Sequence, residues 1–302
     1  YHRAVSAALN DLSQRVVPFV VEELGLGKLI YAGGDDVLAM VTARDLLEVM
    51  TMLRASYSGL AVDVARLFPK REHASKRIKV GGGHVQLDGH LFRAMGWRAT
   101  ASMGAVVAHH TTPLGAVLRE LRAAEQRAKS CGRDAFSIAL MKRGGGTTQL
   151  TCGFGMLAHV DAATVQTADD TPLGVLRALR DYLEQSRRAA YHASQWLPGL
   201  PASSEGLDRE RYQKMLAQNL AWQMNRQKSP TSDLTAADVT ALAARVTDLA
   251  LAEVLRREGL SGTAAQTVSA TELIGHMLGH MEFLARPERR REGSTGRPAA
   301  AE

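Results

Sequence analysis

The stretch at residues 27–40, Gly-Lys-Leu-Ile-Tyr-Ala-Gly-Gly-Asp-Asp-Val-Leu-Ala-Met, limits what this chain can fold into more than any other. Two apolar, β-prone runs flank Gly33-Gly34-Asp35-Asp36, the pattern of a hairpin with paired carboxylates at its tip. Adjacent carboxylates repel each other, and burying either without a partner is costly. A divalent cation relieves both problems. Hard oxygen ligands select Mg²⁺ or Mn²⁺, and Mg²⁺ is commonly shared between carboxylates and substrate phosphates. Gly33 and Gly34 suit close approach of backbone to a ligand. The segment points to metal-assisted phosphoryl transfer on a nucleotide, with Asp35 and Asp36 as catalytic metal ligands. Gly and Asp are also ordinary turn residues, so the same tetrapeptide reads as a turn that holds no metal.

Helical and strand signals around the hairpin place it in an α+β unit. Val5, Ala8, Leu9, Leu12, Val16, Phe19 and Val20 follow helical spacing, so residues 2–24 read as an amphipathic helix kinked at Pro18. Residues 43–57 read as a second helix with Leu46, Leu47, Met50 and Leu53 on its apolar face. Residues 59–98 carry no clear period; they hold the basic residues Arg66, Lys70, Arg71, Lys76, Arg77 and Lys79, and Gly81-Gly82-Gly83 breaks the chain. A buried strand is expected at 99–109 and a third helix from Pro113 to Ser130, its apolar face at Leu114, Val117, Leu118, Leu121 and Ala128. A strand at 134–141 and a short hairpin near 148–159 complete this part. Helix, strand, turn, strand, helix, strand, helix, strand is an α+β order, compatible with the palm of polymerases and nucleotide cyclases.

Beyond residue 170 strand signals fade and helical patterns appear at 172–190, 208–225, 235–258 and 270–285, interrupted by a Pro/Gly/Ser-containing linker at 197–204. The expected organisation is a palm-like domain at 1–165, an α-helical bundle domain at 166–285 and a disordered Arg-, Gly- and Pro-rich tail at 286–302.

Bulk composition excludes several classes. With 37 Lys plus Arg against 31 Asp plus Glu, the chain carries +6, which suits a polyanionic partner. Two cysteines, Cys131 and Cys152, make neither a zinc site by themselves nor a disulfide framework, so an intracellular, cytoplasmic protein is expected. No apolar run reaches membrane-spanning length and no signal peptide is visible. The chain opens at Tyr1 within a helical pattern, which suggests a piece of a longer protein.

Residues 28–39, Lys-Leu-Ile-Tyr-Ala-Gly-Gly-Asp-Asp-Val-Leu-Ala, resemble the palm motif of the large polymerase-like subunit of type III CRISPR effector complexes, in particular the III-B (Cmr) branch. Residues 1–9 resemble the helix before that motif. Residues 99–110, Ala-Thr-Ala-Ser-Met-Gly-Ala-Val-Val-Ala-His-His, resemble the later palm strand. Residues 124–134 resemble the helix-to-strand junction shared with GGDEF-type cyclases. The resemblance extends over residues 1–160; the later helices agree with the family's last domain in position and character. It implies a nucleotidyltransferase that makes cyclic oligoadenylate from ATP when target RNA pairs with a guide RNA, inside a ribonucleoprotein with other subunits. The chain then corresponds to the second palm and terminal helical domain, and the family's N-terminal HD nuclease and first palm lie elsewhere.

The resemblance also proposes site residues. Lys129 and Arg133, near the end of the third helix, correspond to the place where GGDEF-type cyclases put cations on nucleotide phosphates. The competing reading of Lys129 is a surface pair with Glu125 at i,i+4. Ser102, alternating with apolar neighbours, faces either the nucleotide or the core. His109 and His110 match the family pattern, and a hydrogen bond to the following turn accounts for them without chemistry. His276 and His280 have the spacing of two zinc ligands, but no third ligand is evident and packed histidines explain them. Cyclase-like palms carry a third metal carboxylate on the strand before the first helix, here expected upstream of Tyr1. This piece alone is therefore expected to make little or no product. An idle palm that scaffolds RNA and small subunits is the alternative. A diguanylate cyclase is disfavoured, because Asp36 is followed by Val37 rather than by Glu-Phe.

Overall fold

The computed structural model describes residues 2–155, 171–202, 208–260 and 268–286. Helix α1 (His2–Asp11) runs on through two stretches of wider, π-type winding, Leu12–Val16 and Phe19–Leu24, with Pro18 between them. Proline lacks the amide that regular winding needs at that point. The widened turns close with Val17 N–H donating to the Leu12 carbonyl and Gly25 N–H to Val20. Strands β1 (Lys28–Gly33) and β2 (Asp36–Met40) form the expected antiparallel hairpin, with an irregularity in register between Leu29 and Tyr31. Helix α2 (Leu46–Ser58) is buried along nearly its whole length and ends on Gly59.

The unread stretch 59–98 is ordered. It holds two short helices, α3 (Val64–Leu67) and α4 (Glu72–Ser75), and an antiparallel sheet of β3 (Ile78–Gly81), β4 (His84–Leu87) and β5 (His90–Arg93). The glycines at 81–83 do not break the fold here; they turn β3 into β4. Strands of four residues with charged alternate positions leave too short a period for pattern reading. Two members of the basic stretch pair with carboxylates. Arg77 forks onto Asp88 at 2.7 and 2.9 Å, reaches Glu23 at 3.3 Å and lies over the Phe19 ring, while Lys76 pairs with Glu72 at 2.5 Å.

The third sheet carries the later palm elements. Strand β6 (Met103–Val107) runs parallel to β7 (Ala135–Met141), and helix α5 (Leu114–Ser130) makes the crossover between them. Strand β8 (Thr147–Gly153) returns antiparallel to β7. Of the hairpin expected near 148–159, residues 147–153 are strand β8, and 156–159 lie outside the described residues. The strand expected at 99–109 is shorter because pairing with β7 begins only at Met103, opposite Phe136. The apolar face expected for α5 is only partly covered: Leu114 is 69% and Leu118 36% exposed, while Ala128 of that face is buried, together with Ala124. Small residues win there because α5 lies directly on β6. A Cβ at Gly104 would stand 2.4 Å from the Glu125 amide nitrogen.

After the sheets come α6 (Pro172–Gln185), α7 (Arg188–Trp196), α8 (Arg209–Gln227), α9 (Ala236–Glu258) and α10 (Ala270–Leu284). Thr235 and Ser269 start α9 and α10 with reciprocal capping boxes to Asp238 and Glu272. The boundary expected at 165/166 and the tail at 287–302 lie outside the described residues, as do Ser203 and Ser204 of the linker. The buried apolar residues of both parts belong to one cluster that includes Val20, Leu47, Ile138, Phe154, Leu176 and Ile274. Across it, Arg180 of α6 grips Glu48 of α2 with two hydrogen bonds of 2.7 and 3.0 Å, both side chains nearly buried. Among the described residues no helix is long and apolar enough to cross a membrane.

Candidate active site

The hairpin tip is a two-residue loop, Gly34-Asp35, closed by the Gly33–Asp36 pair. Gly34 sits at φ +61 in the first loop position, where hairpins with a right-handed twist favour glycine. Asp35 therefore occupies the tip and Asp36 opens β2, so neighbouring carboxylates leave the backbone in different directions. Both are exposed, and neither accepts a hydrogen bond among the described residues. Asp35 lies within electrostatic reach of Tyr57 near the end of α2: burial first, and then the Asp35 charge, push the Tyr57 hydroxyl above its ordinary range. Asp36 lies within reach of Lys129 in the last turn of α5. The Lys129 ammonium is held above its ordinary range by its hydrogen bond to Glu125, then by the Glu125 and Asp36 charges, against a lowering by burial and Arg133.

Lys129, at the end of α5, is thus within electrostatic reach of Asp36 on the hairpin and of Arg133 in the following turn. Lys129 is salt-bridged to Glu125 at 2.5 Å with both side chains about two-fifths exposed (42% and 41%). A solvent-facing pair of this kind contributes well under 1 kcal/mol and yields readily to a phosphate. Arg133 follows α5 in a turn where Gly132, Arg133 and Asp134 have φ of 86°, 60° and 43°. Asp134 is anchored by the fully buried Arg54 of α2, Nε to Oδ1 at 2.8 Å. Arg54 and Asp134 were not among the residues singled out from sequence. The available signal was an arginine within an otherwise apolar helix, since a charge is buried only with a partner.

Ser102 lies just before β6, not on it, because the Ala99 carbonyl is taken by the Ser58 hydroxyl at 2.5 Å and holds the incoming chain away from the sheet. His109 accounts for itself locally: Nδ1 contacts the Thr111 hydroxyl at 2.8 Å. His280 is buried, with Nδ1 on the His276 carbonyl at 2.8 Å. No three His, Cys, Asp or Glu side chains gather as a metal site among the described residues. Cys131 and Cys152 are both buried free thiols, and burial pushes the Cys152 thiol far up. Among the described residues, the exposed carboxylates of Asp35 and Asp36 on the hairpin are candidate oxygen donors to a cation. Their hard oxygens fit Mg²⁺ or Mn²⁺ shared with substrate phosphates.

Residues 1–137 match the family model described as Cas10/Cmr2, second palm domain. A relative from Pyrococcus furiosus, described as CRISPR system Cmr subunit Cmr2, is 33% identical over 146 residues. Over these residues the chain is similar to the Cas10/Cmr2 second palm domain. The match to the Pyrococcus furiosus Cmr2 takes in 48% of this chain and 13% of that protein, so the chain spans a small part of its relative. The Cas10/Cmr2 match contains the Gly33–Asp36 hairpin, β6, Lys129 and Arg133, and it ends inside β7. The resemblance drawn from the hairpin is borne out at the level of the family. Helices α6–α10 lie beyond the Cas10/Cmr2 family match.

Proposed function

We propose that this Cas10/Cmr2 palm carries out nucleotidyl transfer on ATP, yielding cyclic oligoadenylate, within a type III CRISPR complex that holds guide RNA and target RNA. The observation that carries the reading is that Lys129 of α5 lies within electrostatic reach of Asp36, with Asp35 next to Asp36 in the hairpin and Arg133 in the turn after Lys129. A carboxylate pair and a cation pair within electrostatic reach suit a metal-bound triphosphate. Asp35 and Asp36 would hold Mg²⁺ or Mn²⁺. When bound, the metal supplies charge neutralisation on the triphosphate and activation of the attacking ribose hydroxyl. Lys129 exchanges Glu125 for phosphate oxygens, and Arg133 adds a forked donor suited to phosphate. The open backbone around Gly34, where a Cβ would meet nothing within 4 Å, lets the tip approach the ligand.

A second reading has its own support. Lys129 already has a carboxylate partner in Glu125, as an idle, scaffolding palm would keep it. ATP conversion by the full-length protein with guide RNA, target RNA and Mg²⁺ or Mn²⁺, followed by chromatography, separates the two. Cyclic oligoadenylate that disappears in Asp36→Ala supports the enzyme. An assembled complex that turns over no ATP supports the scaffold.

A further inference from the structure

The last turn of α9 reaches back from the helical region onto the turn that carries Arg133. Glu253, 3% exposed, sits at the centre of this contact. Its carboxylate accepts from Arg256 at 2.7 and 2.8 Å, from Arg257 Nε at 2.8 Å and from the Gly153 amide of β8 at 3.0 Å. Thus oriented, Arg257 donates to the Thr151 carbonyl, and Arg256 donates from Nη1 to the Cys131 carbonyl and from Nη2 to the Cys131 sulfur at 3.1 Å. Cys131 is the residue on which α5 ends, two positions after Lys129 and two before Arg133. The following residues stand at positive φ, a conformation that an arginine and an aspartate keep only under constraint. Two anchors supply that constraint: Arg54 on Asp134 from α2, and Arg256 on Cys131 from α9. The fit is tight, since a Cβ on Gly132 would stand 3.1 Å from Arg256 Nη1 and 3.0 Å from a Leu260 methyl.

We propose that Arg256, oriented by Glu253, is a positioning residue for the phosphate-binding cations, so that ATP affinity depends on how the helical region sits on the palm. This rests on the reading of Lys129 and Arg133 as triphosphate ligands. Arg256 itself touches neither nucleotide nor metal. It holds the carbonyl end of α5 and thereby the direction in which Lys129 and Arg133 leave the backbone.

The test is a double-mutant cycle in the full-length protein that contains this chain, with Mg²⁺–ATP as probe and its dissociation constant as readout. Groups that orient a ligand-binding side chain are worth roughly ten- to a hundredfold in affinity, so Arg256→Ala is expected to weaken ATP binding by about tenfold. In a Lys129→Ala/Arg133→Ala background the same change is expected to add less than about twofold, because Arg256 acts through those two cations. An unchanged dissociation constant in Arg256→Ala, or an equal loss in both backgrounds, overturns the inference, the latter showing a general structural role. Lys129→Ala without effect on ATP overturns the underlying reading of the cations, and the inference with it. Should Arg256→Ala not fold, Arg256→Lys is judged by the same criteria; it keeps the charge and loses the fork that spans Glu253 and Cys131.

Discussion

Arg54 and Asp134 meet across 80 positions of sequence, Nε to Oδ1 at 2.8 Å, with the arginine side chain fully buried between α2 and the sheet. The guanidinium also donates to Ser58 and stands 5.8 Å from the centre of the Phe154 ring. The pair ties the helix that follows the Gly33–Asp36 hairpin to the turn that follows α5. The two halves of the candidate site therefore share one anchor.

Truncating the buried Arg54 leaves an empty space in the core and frees Asp134, which is 33% exposed, at a cost of about 2–5 kcal/mol. Arg54→Ala is expected to lower stability by that order. Urea denaturation followed by far-UV circular dichroism checks it; a loss under about 1 kcal/mol is what a surface contact would show instead.

The carboxylates are expected to matter for chemistry and not for folding, since both are exposed at the hairpin tip. Groups that stabilise charge developing in a transition state are worth about 10²–10³ in rate, so Asp36→Ala is expected to lower cyclic oligoadenylate formation by at least that. Thermal unfolding of the same variant checks that the fold is retained, and wild-type product levels in Asp35→Ala/Asp36→Ala would remove the metal-ligand role.

Lys129→Ala tests the phosphate contact. A hydrogen bond to a charged group is worth about 1.5–3 kcal/mol, or about ten- to a hundredfold in affinity. The apparent KM for ATP should rise by that factor, while stability should move by only about 0.5 kcal/mol, as for other exposed i,i+4 pairs. Steady-state kinetics over an ATP series reads the first quantity and denaturant titration the second.

Gly104 permits the close approach of β6 and α5, and a side chain there would collide with helix backbone. Gly104→Val is expected to cost about 1–3 kcal/mol through overpacking. Because the displaced element is the helix that carries Lys129, the variant should also weaken ATP binding, whereas Gly144→Val, at an open loop position, should do neither.

The Glu253 carboxyl gives a pH signature. Burial pushes it up, and its hydrogen bonds from Arg256, Arg257 and Gly153 outweigh burial, leaving it below its ordinary value of 4.5. A carboxyl that is more acidic folded than unfolded stabilises above the unfolded value and loses that contribution as pH falls through the folded one. Urea midpoints should therefore fall more steeply for wild type than for Glu253→Gln as pH drops below about 4.5. Parallel curves would show that the carboxylate is not held by its arginines.

The elements with a strong local period were legible without coordinates. The β1–β2 hairpin, α2, α5, β7 and the helices after residue 170 follow from apolar spacing, turn residues and caps, all encoded within a few positions of one another. The hairpin carboxylates were legible for the same reason: residue type and turn chemistry sit in four consecutive positions. Lys129 and Arg133 came from family resemblance, because an exposed cation near a helix end carries no local mark of its role. The β3–β5 sheet was not legible, as four-residue strands show too few alternations to outvote their polar content.

Sequence by itself determined the hairpin, the helical periods and the likeness of residues 1–137 to the Cas10/Cmr2 second palm domain. Only the tertiary structure decided what faces what. That Asp36 lies within electrostatic reach of Lys129, that Arg54 closes on Asp134 and that Arg256 holds Cys131 are relations between residues 80 or more positions apart. Such pairings depend on how helices and sheets pack, through buried volume and the need of every buried charge for a partner. No local window of sequence contains that requirement's solution, because the partner is chosen by the whole core.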